Sequence, residues 1–378
     1  MAVASPRSPC DTSRLRRRPF LVVSGEPSGD ALAREVVPHL RGPVLVYGGG
    51  AAPHDDVELL GAPPAASMGL SSLPGRVAAT TRDLWRLTRT AVDRRVAVAV
   101  LVNWTEASAV LGRAFRSQGI RVLQVVAPQV FAWRRGRLRT FGGSCDALAV
   151  LFAFEEPLWR DAGVEATFVG HPAAERSSPP SRRVVTSIDH SRVALLPGSR
   201  HLEVTRLLPI FLAAVPRLRR HGIACEALLA DGLPLAARQA AEIACHARQV
   251  PAWTVPSGGL GAELARFDGA LAASGTATLE CGLADVPAVI AYRVDALSAA
   301  VFRRLRHGNR VGLPNLLLGR DVFPELLQDD ATPMALADAM LALLRDPPRP
   351  RAELLPQVSP GGGETFGARV ARLATGLS

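Results

Sequence analysis

Short apolar runs alternate with stretches of helical period along most of the chain. RPFLVVSGEPSGD (18–30) reads as a strand entering a Gly-rich turn, and ALAREVVPHL (31–40) spaces its apolar residues as a helix does. PVLVYGGG (43–50) and VAVAVLVNW (96–104) are continuous apolar runs ending in small or polar residues, the pattern of strands buried on both faces of a parallel sheet. ASAVLGRAFRSQGI (107–120) predicts a helix, RVLQVVAPQVFAW (121–133) a strand and loop, and CDALAVLFAF (145–154) a further strand. Such alternation predicts a doubly wound α/β sheet.

The pattern then breaks. AERSSPPSRRVVTSIDHS (174–191) is rich in Ser, Pro and Arg with no apolar period, and reads as a linker. A second α/β series follows: RVALLPG, a helix near 201–220, CEALLAD, a helix near 235–248, GALAASG, a helix near 276–284, and PAVIAYR. We therefore expect a flexible basic N-terminus over 1–18 and an N-terminal Rossmann-like domain over 19–175. A linker over 176–191, a C-terminal Rossmann-like domain over 192–345, and a tail with a helix over 346–378 complete the division. Two such sheets with Gly-rich loops after their strands place a site in the cleft between them.

Composition narrows the chemistry. The 378 residues suffice for about two domains, and 48% hydrophobic with 21% charged residues fits a globular chain. No apolar run approaches the roughly 18 residues of a membrane span. The basic stretch Arg14 to Arg18 is followed only by Phe20-Leu21-Val22-Val23, too short for a secretory segment, so a cytoplasmic location is expected. A net charge of +10 invites a nucleic-acid or anionic-membrane reading, yet all 44 basic residues are arginine. With Ala, Gly, Pro and Val abundant, that bias looks like GC-rich coding, and no nucleic-acid partner is expected. The missing lysine excludes a P-loop lysine and Schiff-base chemistry. The five cysteines show no C-x-x-C spacing and the eight histidines no H-x-x-x-H pair, and D-x-D is absent. Reduced thiols, no metal and no cofactor are expected.

Three strand ends carry candidate chemistry. In ALLPGSRHLEV (194–204) a strand hands over to a helix through Pro197-Gly198-Ser199-Arg200. Pro-Gly is a turn signal with a helix cap behind it; equally, helix N–H groups beside an arginine form a seat for a phosphate. Ser274-Gly275-Thr276 repeats the design, and Glu280, about one turn further, is placed to accept hydrogen bonds from ribose hydroxyls. Two such loops can hold a diphosphate from both sides. In the first half, SGEPSGD offers Gly25, Ser28, Gly29 and Asp30, VNWTEAS offers Asn103 and Glu106, and VAPQVFAWRRGRL offers Pro128 and Trp133. Arg82, Arg86 and Arg89 share one face of a helix in TTRDLWRLTRTAVDRR (80–95) with Trp85 to the side, either a solvated face or one for an anionic membrane.

These stretches, in this order, resemble the lipid-A-disaccharide synthase family, inverting bacterial glycosyltransferases of GT-B fold. The resemblance rests on SGEPSGD, VAPQVFAWRRGR, FEEPLWRDAGVEATFVGHP, LLPGSRHLEV, ASGTATLECGLADVPAVIAYRV and GLPNLLLGRDVFPELLQDDATP, spanning residues 21 to about 333. It implies a UDP-2,3-diacylglucosamine donor and a 2,3-diacylglucosamine 1-phosphate acceptor, joined into the β-1,6-linked disaccharide 1-phosphate with release of UDP. It further implies peripheral attachment to the anionic inner face of the cytoplasmic membrane, and leaves a homodimer open. UDP would be held by Gly198, Ser199, Arg200, Glu203, Ser274, Gly275, Thr276, Glu280 and Asn315, with Arg200 taking the place of a metal ion. The loops at Gly25 to Asp30, Pro128 and Trp133 would lie on the acceptor side.

One departure stands out. Where the family carries D-x-P-D-F-N this chain has NWTEAS, so the family's two aspartates fall on Asn103 and Glu106. The first is the family's candidate general base, and an asparagine takes no proton near neutral pH. The acidic residue often found near MGI is also missing after Met68-Gly69-Leu70. The UDP side is intact and the acceptor side altered, so an impaired relative that binds without turnover stands as the alternative. A different UDP-sugar transferase or epimerase is disfavoured by the LPNLLLGR and FVGHP matches.

Overall fold

The computed structural model describes residues 18–50, 56–62, 73–128, 141–177, 188–293 and 310–378, with the backbone alone for 73–81, 105 and 106. Seven parallel strands build the first sheet: β1 (Phe20–Ser24), β2 (Val44–Tyr47), β3 (Val57–Gly61), β4 (Val98–Val102), β5 (Arg121–Val125), β6 (Ala147–Val150) and β7 (Ala166–Phe168). Six build the second: β8 (Arg192–Leu196), β9 (Ala224–Ala230), β10 (Ala252–Val255), β11 (Gly269–Ala273), β12 (Ala288–Tyr292) and β13 (Glu325–Leu327). Their spatial orders are β3-β2-β1-β4-β5-β6-β7 and β10-β9-β8-β11-β12-β13.

The uninterrupted apolar runs follow from burial on both faces. In β1, Phe20 and Val22 enter one core cluster while Leu21 and Val23 enter the cluster on the opposite face. In β4, Val98, Val100 and Val102 face one side and Ala99 and Leu101 the other. Each large aliphatic side chain so buried contributes about 1.5–3 kcal/mol relative to exposure. Alternation would have left one face of these central strands wet, and neither is.

Strand order reverses between β1 and β4 in the first sheet and between β8 and β11 in the second. Registers Ser24↔Val102 and Leu196↔Ala272 bring the ends of each central pair side by side. The loops that leave them open at the carboxyl ends, where open α/β sheets take their ligands.

The segment after residue 345 holds two helices, where the sequence suggested one. Helix Arg351–Val358 packs on helices Thr276–Leu283 and Leu313–Leu318 of the second half. The last helix, Phe366–Leu377, returns to the first sheet, and its Phe366, Val370, Ala371 and Ala374 join the cluster around Phe20, Val36 and Val44. Gly367 lies so close to the Glu35 carbonyl that no Cβ would fit. Buried Arg369 fastens the helix, donating to the Val169 carbonyl at 2.6 Å and pairing with Glu175 at 2.7 Å.

Candidate active site at two switch points

At the first switch point, β1 runs through Gly25 and Glu26 into helix Pro27–Val36, and β4 runs through Asn103 and Trp104 into helix Thr105–Ser117. Asn103 carries φ +43°, a left-handed turn that asparagine tolerates better than most residues. Its N–H donates to the Val125 carbonyl at 3.0 Å and its side-chain Nδ2 to the Ser28 hydroxyl at 3.0 Å. Gly25 lies against the Trp104 ring with no room for a Cβ, and a Cβ on Gly29 would stand 2.8 Å from the Val102 carbonyl. The glycines of SGEPSGD thus serve close approach of two loops.

Asp30 has an internal partner set. Its Oδ1 accepts the Ser24 hydroxyl at 2.5 Å and the Gly49 N–H at 2.9 Å, bracing the turn after β2. Pro128 is buried just beyond β5, behind Val126, a β-branched residue held at φ +75°. Glu106 sits in the first turn of helix Thr105–Ser117, described there by its backbone alone, and Trp133 lies outside the described residues.

At the second switch point, β8 ends in Pro197-Gly198-Ser199-Arg200 and helix His201–Arg219 begins. Glu203 reaches back: its Oε2 accepts the N–H of Ser199 at 3.1 Å and of Arg200 at 3.3 Å, while Oε1 pairs with the Arg200 guanidinium at 2.9 Å. Gly198, at φ +109°, is crowded by that carboxylate, so any larger residue would be doubly disfavoured. Glu203, expected among the UDP-binding residues, is engaged here with its own loop. A carboxylate only accepts hydrogen bonds, as a phosphate does, so here it orients Arg200 and the loop. Arg200 itself stays 57% exposed at its side chain, open to a further anion.

Beside it, β11 leads through Ser274 and Gly275 into helix Thr276–Leu283. The Ser274 hydroxyl donates to the Val311 carbonyl at 2.8 Å, and Gly275 stands at φ +150°. Asn315, expected on the UDP side, is wholly buried with its amide fully used. Nδ2 donates to the Phe323 carbonyl at 2.7 Å and to Glu325 Oε1 at 2.8 Å, and Oδ1 accepts the Val322 and Phe323 N–H groups at 2.9 Å. No hydrogen-bonding position is left for a ligand, so Asn315 is a brace. Glu325, which the sequence reading missed, completes it by accepting the N–H groups of Val311 at 2.8 Å and Gly312 at 2.9 Å. Its partners, at the start of helix Leu313–Leu318 and just before it, lie 10 to 14 residues away, a separation with no periodic signal.

Glu280 differs from every other carboxylate of the site. It is buried, it accepts the Gly261 N–H, and its Oε2 has no hydrogen-bond partner. Burial pushes its carboxyl up to about 7, against the lowering effect of the Arg176 charge and the Gly261 N–H. An orphaned buried oxygen is costly unless a donor arrives, which sets Oε2 apart from the satisfied carboxylates around it. Arg34, on the helix that follows SGEPSGD, is near enough to act on the charge of Asp231 after β9. Burial raises the Asp231 carboxyl, and the Ser257 and Gly232 hydrogen bonds with Arg34 outweigh it and bring it below the ordinary range. Among the described residues no three His, Cys, Asp or Glu side chains gather as a metal seat, and no helix is long and apolar enough to cross a membrane.

Two doubly wound sheets with facing switch-point loops define a GT-B glycosyltransferase fold. The UDP co-structure of Staphylococcus aureus MnaA matches with a TM-score of 0.58 at 13% identity, over 96% of this chain and 98% of that one. Acinetobacter baumannii MurG matches with a TM-score of 0.55 at 13% identity, over 95% and 99% of the two chains. Closer relationships come from sequence. The family model described as lipid-A-disaccharide synthetase matches residues 20–354. The lipid-A-disaccharide synthase of Syntrophus aciditrophicus is 35% identical over 344 residues, 88% of this chain and 90% of that protein. That of Myxococcus xanthus is 36% identical over 351 residues, 89% and 90% of the two. The chain belongs to the lipid-A-disaccharide synthase family, glycosyltransferases of lipid A biosynthesis.

Proposed function

We propose that the chain transfers 2,3-diacylglucosamine from UDP to 2,3-diacylglucosamine 1-phosphate, giving the β-1,6-linked disaccharide 1-phosphate and UDP, with inversion and without a metal ion. The observation that carries the reading is the buried, unpartnered Oε2 of Glu280 one helical turn beyond Ser274-Gly275-Thr276. A ribose hydroxyl supplies the donor this oxygen lacks, and the diphosphate then falls between the two loops. Arg200, with the N–H groups at the start of helix Thr276–Leu283, meets the charge that grows on UDP as the anomeric C–O bond breaks. The acceptor hydroxyl attacks from the opposite face and gives its proton to a base.

Asn103 is not that base, since an amide takes no proton at neutral pH. The next carboxylate along the chain, Glu106, follows after the bend at Asn103, and we assign it the proton. The reaction belongs at the inner face of the cytoplasmic membrane, where the acylated substrates reside. The test is UDP release from both diacylated sugars, with the disaccharide identified by mass spectrometry and EDTA present. Turnover in EDTA is the expected result; a strict Mg²⁺ requirement, or UDP release without disaccharide, would overturn it. A second reading, binding without turnover, is favoured by one observation: the Asn103 amide donates to Ser28 where a base would accept. UDP affinity without product would select it.

A further inference from the structure

Three short helices meet where the two halves of the molecule join: Pro172–Arg176, Leu260–Leu264 and Thr276–Leu283. The first ends in Arg176, whose Nη2 pairs with Glu35 Oε1 on helix Pro27–Val36 of the first half. Its guanidinium lies flat on Gly258, where a Cβ would stand 2.7 Å from Nη1 and 2.8 Å from Cζ. The seat is shaped for this side chain, and Gly258, at φ +85°, resists any other residue. Glu280, on the helix packed against this one, is held by the Gly261 N–H and feels the Arg176 charge, and Gly261 in turn packs on the Arg176 backbone carbonyl.

We infer that Arg176 is a positioning residue for nucleotide binding: paired with Glu35 and seated on the helix that packs against that of Glu280, it ties helix Pro27–Val36 to the carboxylate that meets the nucleotide. The inference rests on the nucleotide role given to Glu280 above. A positive charge shared between two carboxylates is a lever. Whatever strengthens its hold on one weakens its support of the other, because the guanidinium has one seat and a fixed charge. Nucleotide that needs Glu280 ionised draws on Arg176, and so bears on the helix whose first turn carries Ser28 and whose last carries Glu35. Donor binding is thereby coupled to the acceptor-side loop.

The other charged groups around helix Thr276–Leu283 have partners elsewhere. Glu175, from the helix of Arg176, pairs with Arg369, and Glu263 pairs with Arg266 at 2.6 Å. Helix Arg351–Val358 brings Arg351, bonded to the Leu283 and Ser177 carbonyls, and Glu353, paired with Arg320 at 2.5 Å. Helix Leu313–Leu318 and strand β11 carry no titratable side chain, and β12 carries Tyr292 alone. Cys281, beside Glu280 on its own helix, is a buried thiol pushed up by burial and by Glu280, and stays neutral.

Calorimetry of UDP binding to the full chain, from about pH 5.5 to 9, reads the coupling directly. UDP affinity should rise as pH passes through the Glu280 midpoint near 7. Arg176→Gln should move that midpoint up and weaken UDP about three- to tenfold at pH 7. Glu35→Gln, which frees Arg176 for Glu280, should move it down. Opposite shifts are the signature, and a merely structural role would produce neither. If Glu280→Gln abolishes the pH dependence while both other variants keep the wild-type midpoint, the inference fails and the nucleotide role of Glu280 stands. If Glu280→Gln leaves UDP affinity and its pH profile unchanged, both fall. Should Arg176→Gln not fold, the downward shift in Glu35→Gln decides alone.

Discussion

The side-chain amide of Asn103 donates to the Ser28 hydroxyl across 3.0 Å, joining the loop after β4 to the loop after β1. A carboxylate at 103 would keep the contact with its direction reversed, because a hydroxyl donates as readily as it accepts. Asn103→Asp is therefore expected to fold as the wild type does. It should raise kcat with both diacylated sugars, by less than the roughly 10²–10⁴-fold worth of a general base because Glu106, as proposed, already takes the proton in the wild type. Glu106→Gln should remove the turnover that the wild type retains. No turnover in the wild type and none in Asn103→Asp would leave the protein as a binder on a transferase fold.

Arg200→Ala should weaken UDP by roughly tenfold or more, since charge-assisted hydrogen bonds are worth about 1.5–3 kcal/mol and this side chain is half exposed. Glu203 would remain to cap the loop, so the variant should stay folded. Unchanged UDP affinity by calorimetry would reduce Pro197-Gly198-Ser199-Arg200 to a helix cap.

Glu280→Gln should cost UDP more than inorganic diphosphate, because the assigned partner is a ribose hydroxyl. Equal losses for the two ligands would move the contact to the phosphates.

Helix Leu73–Asp93 leaves Trp85 66% exposed, with the Arg89 guanidinium 5.7 Å from its ring and Arg82 and Arg86 exposed on the same stretch. An aromatic among arginines suits the headgroup layer of an anionic bilayer. The protein should sediment with anionic vesicles and not with neutral ones, and Trp85→Ser with Arg82→Gln and Arg86→Gln should abolish it. Absence of vesicle binding in the wild type would end the assignment.

His171, in FVGHP, is half-buried and neutral: its Nδ1 accepts the Ala173 N–H at 3.1 Å and its ring stacks on Phe152 at 6.1 Å. Burial, then the Arg176 charge, hold it down to about 4 from an ordinary 6.5. With the folded value depressed, the unfolded chain binds the extra proton, so stability is full above pH 6.5 and drains as pH falls toward 4. The loss amounts to as much as about 3 kcal/mol. Glu155, pushed up to about 7 by burial, acts in the opposite sense and costs stability as pH rises through that value. Urea unfolding of His171→Asn should show a smaller loss between pH 6.5 and 4 than the wild type; an equal loss would place the acid sensitivity elsewhere.

Both sheets were legible because each central strand is one uninterrupted apolar run. The strands at or near the sheet edges were not. β3, β10 and β13 are short and half-wet, with Glu58, Trp253 and Glu325 in them, and β7 has three residues, so no period emerges. Gly198, Ser274 and Glu280 could be found because strand–glycine–helix is a local pattern. Whether a polar residue is left open or satisfied by a neighbour is decided by its bonding. Glu203 is used up by a cap within its own turn and Asn315 by partners seven to ten residues on, whereas the Arg200 side chain stays largely exposed and Glu280 Oε2 unpartnered. Arg176 carried no signal, since its partner Glu35 is 141 residues away.

The helix Phe366–Leu377 covers the sheet that Phe20–Ser24 begins. A ribosome releases that helix long after β1 to β7, so the first half leaves the exit tunnel with an apolar face uncovered and keeps it so until residues 366–377 emerge. The unit that folds as the N-terminal body is therefore discontinuous in sequence, made of β1 to β7 with their helices and of the helix Phe366–Leu377. Two fragments cut after Ser177 would share that body unequally, the first aggregating when expressed alone and becoming soluble when the second, with its closing helix, is supplied. Fusing residues 364–378 to the end of the first fragment should make it self-sufficient. A stop codon placed just before Phe366 should damage the opposite end of the molecule.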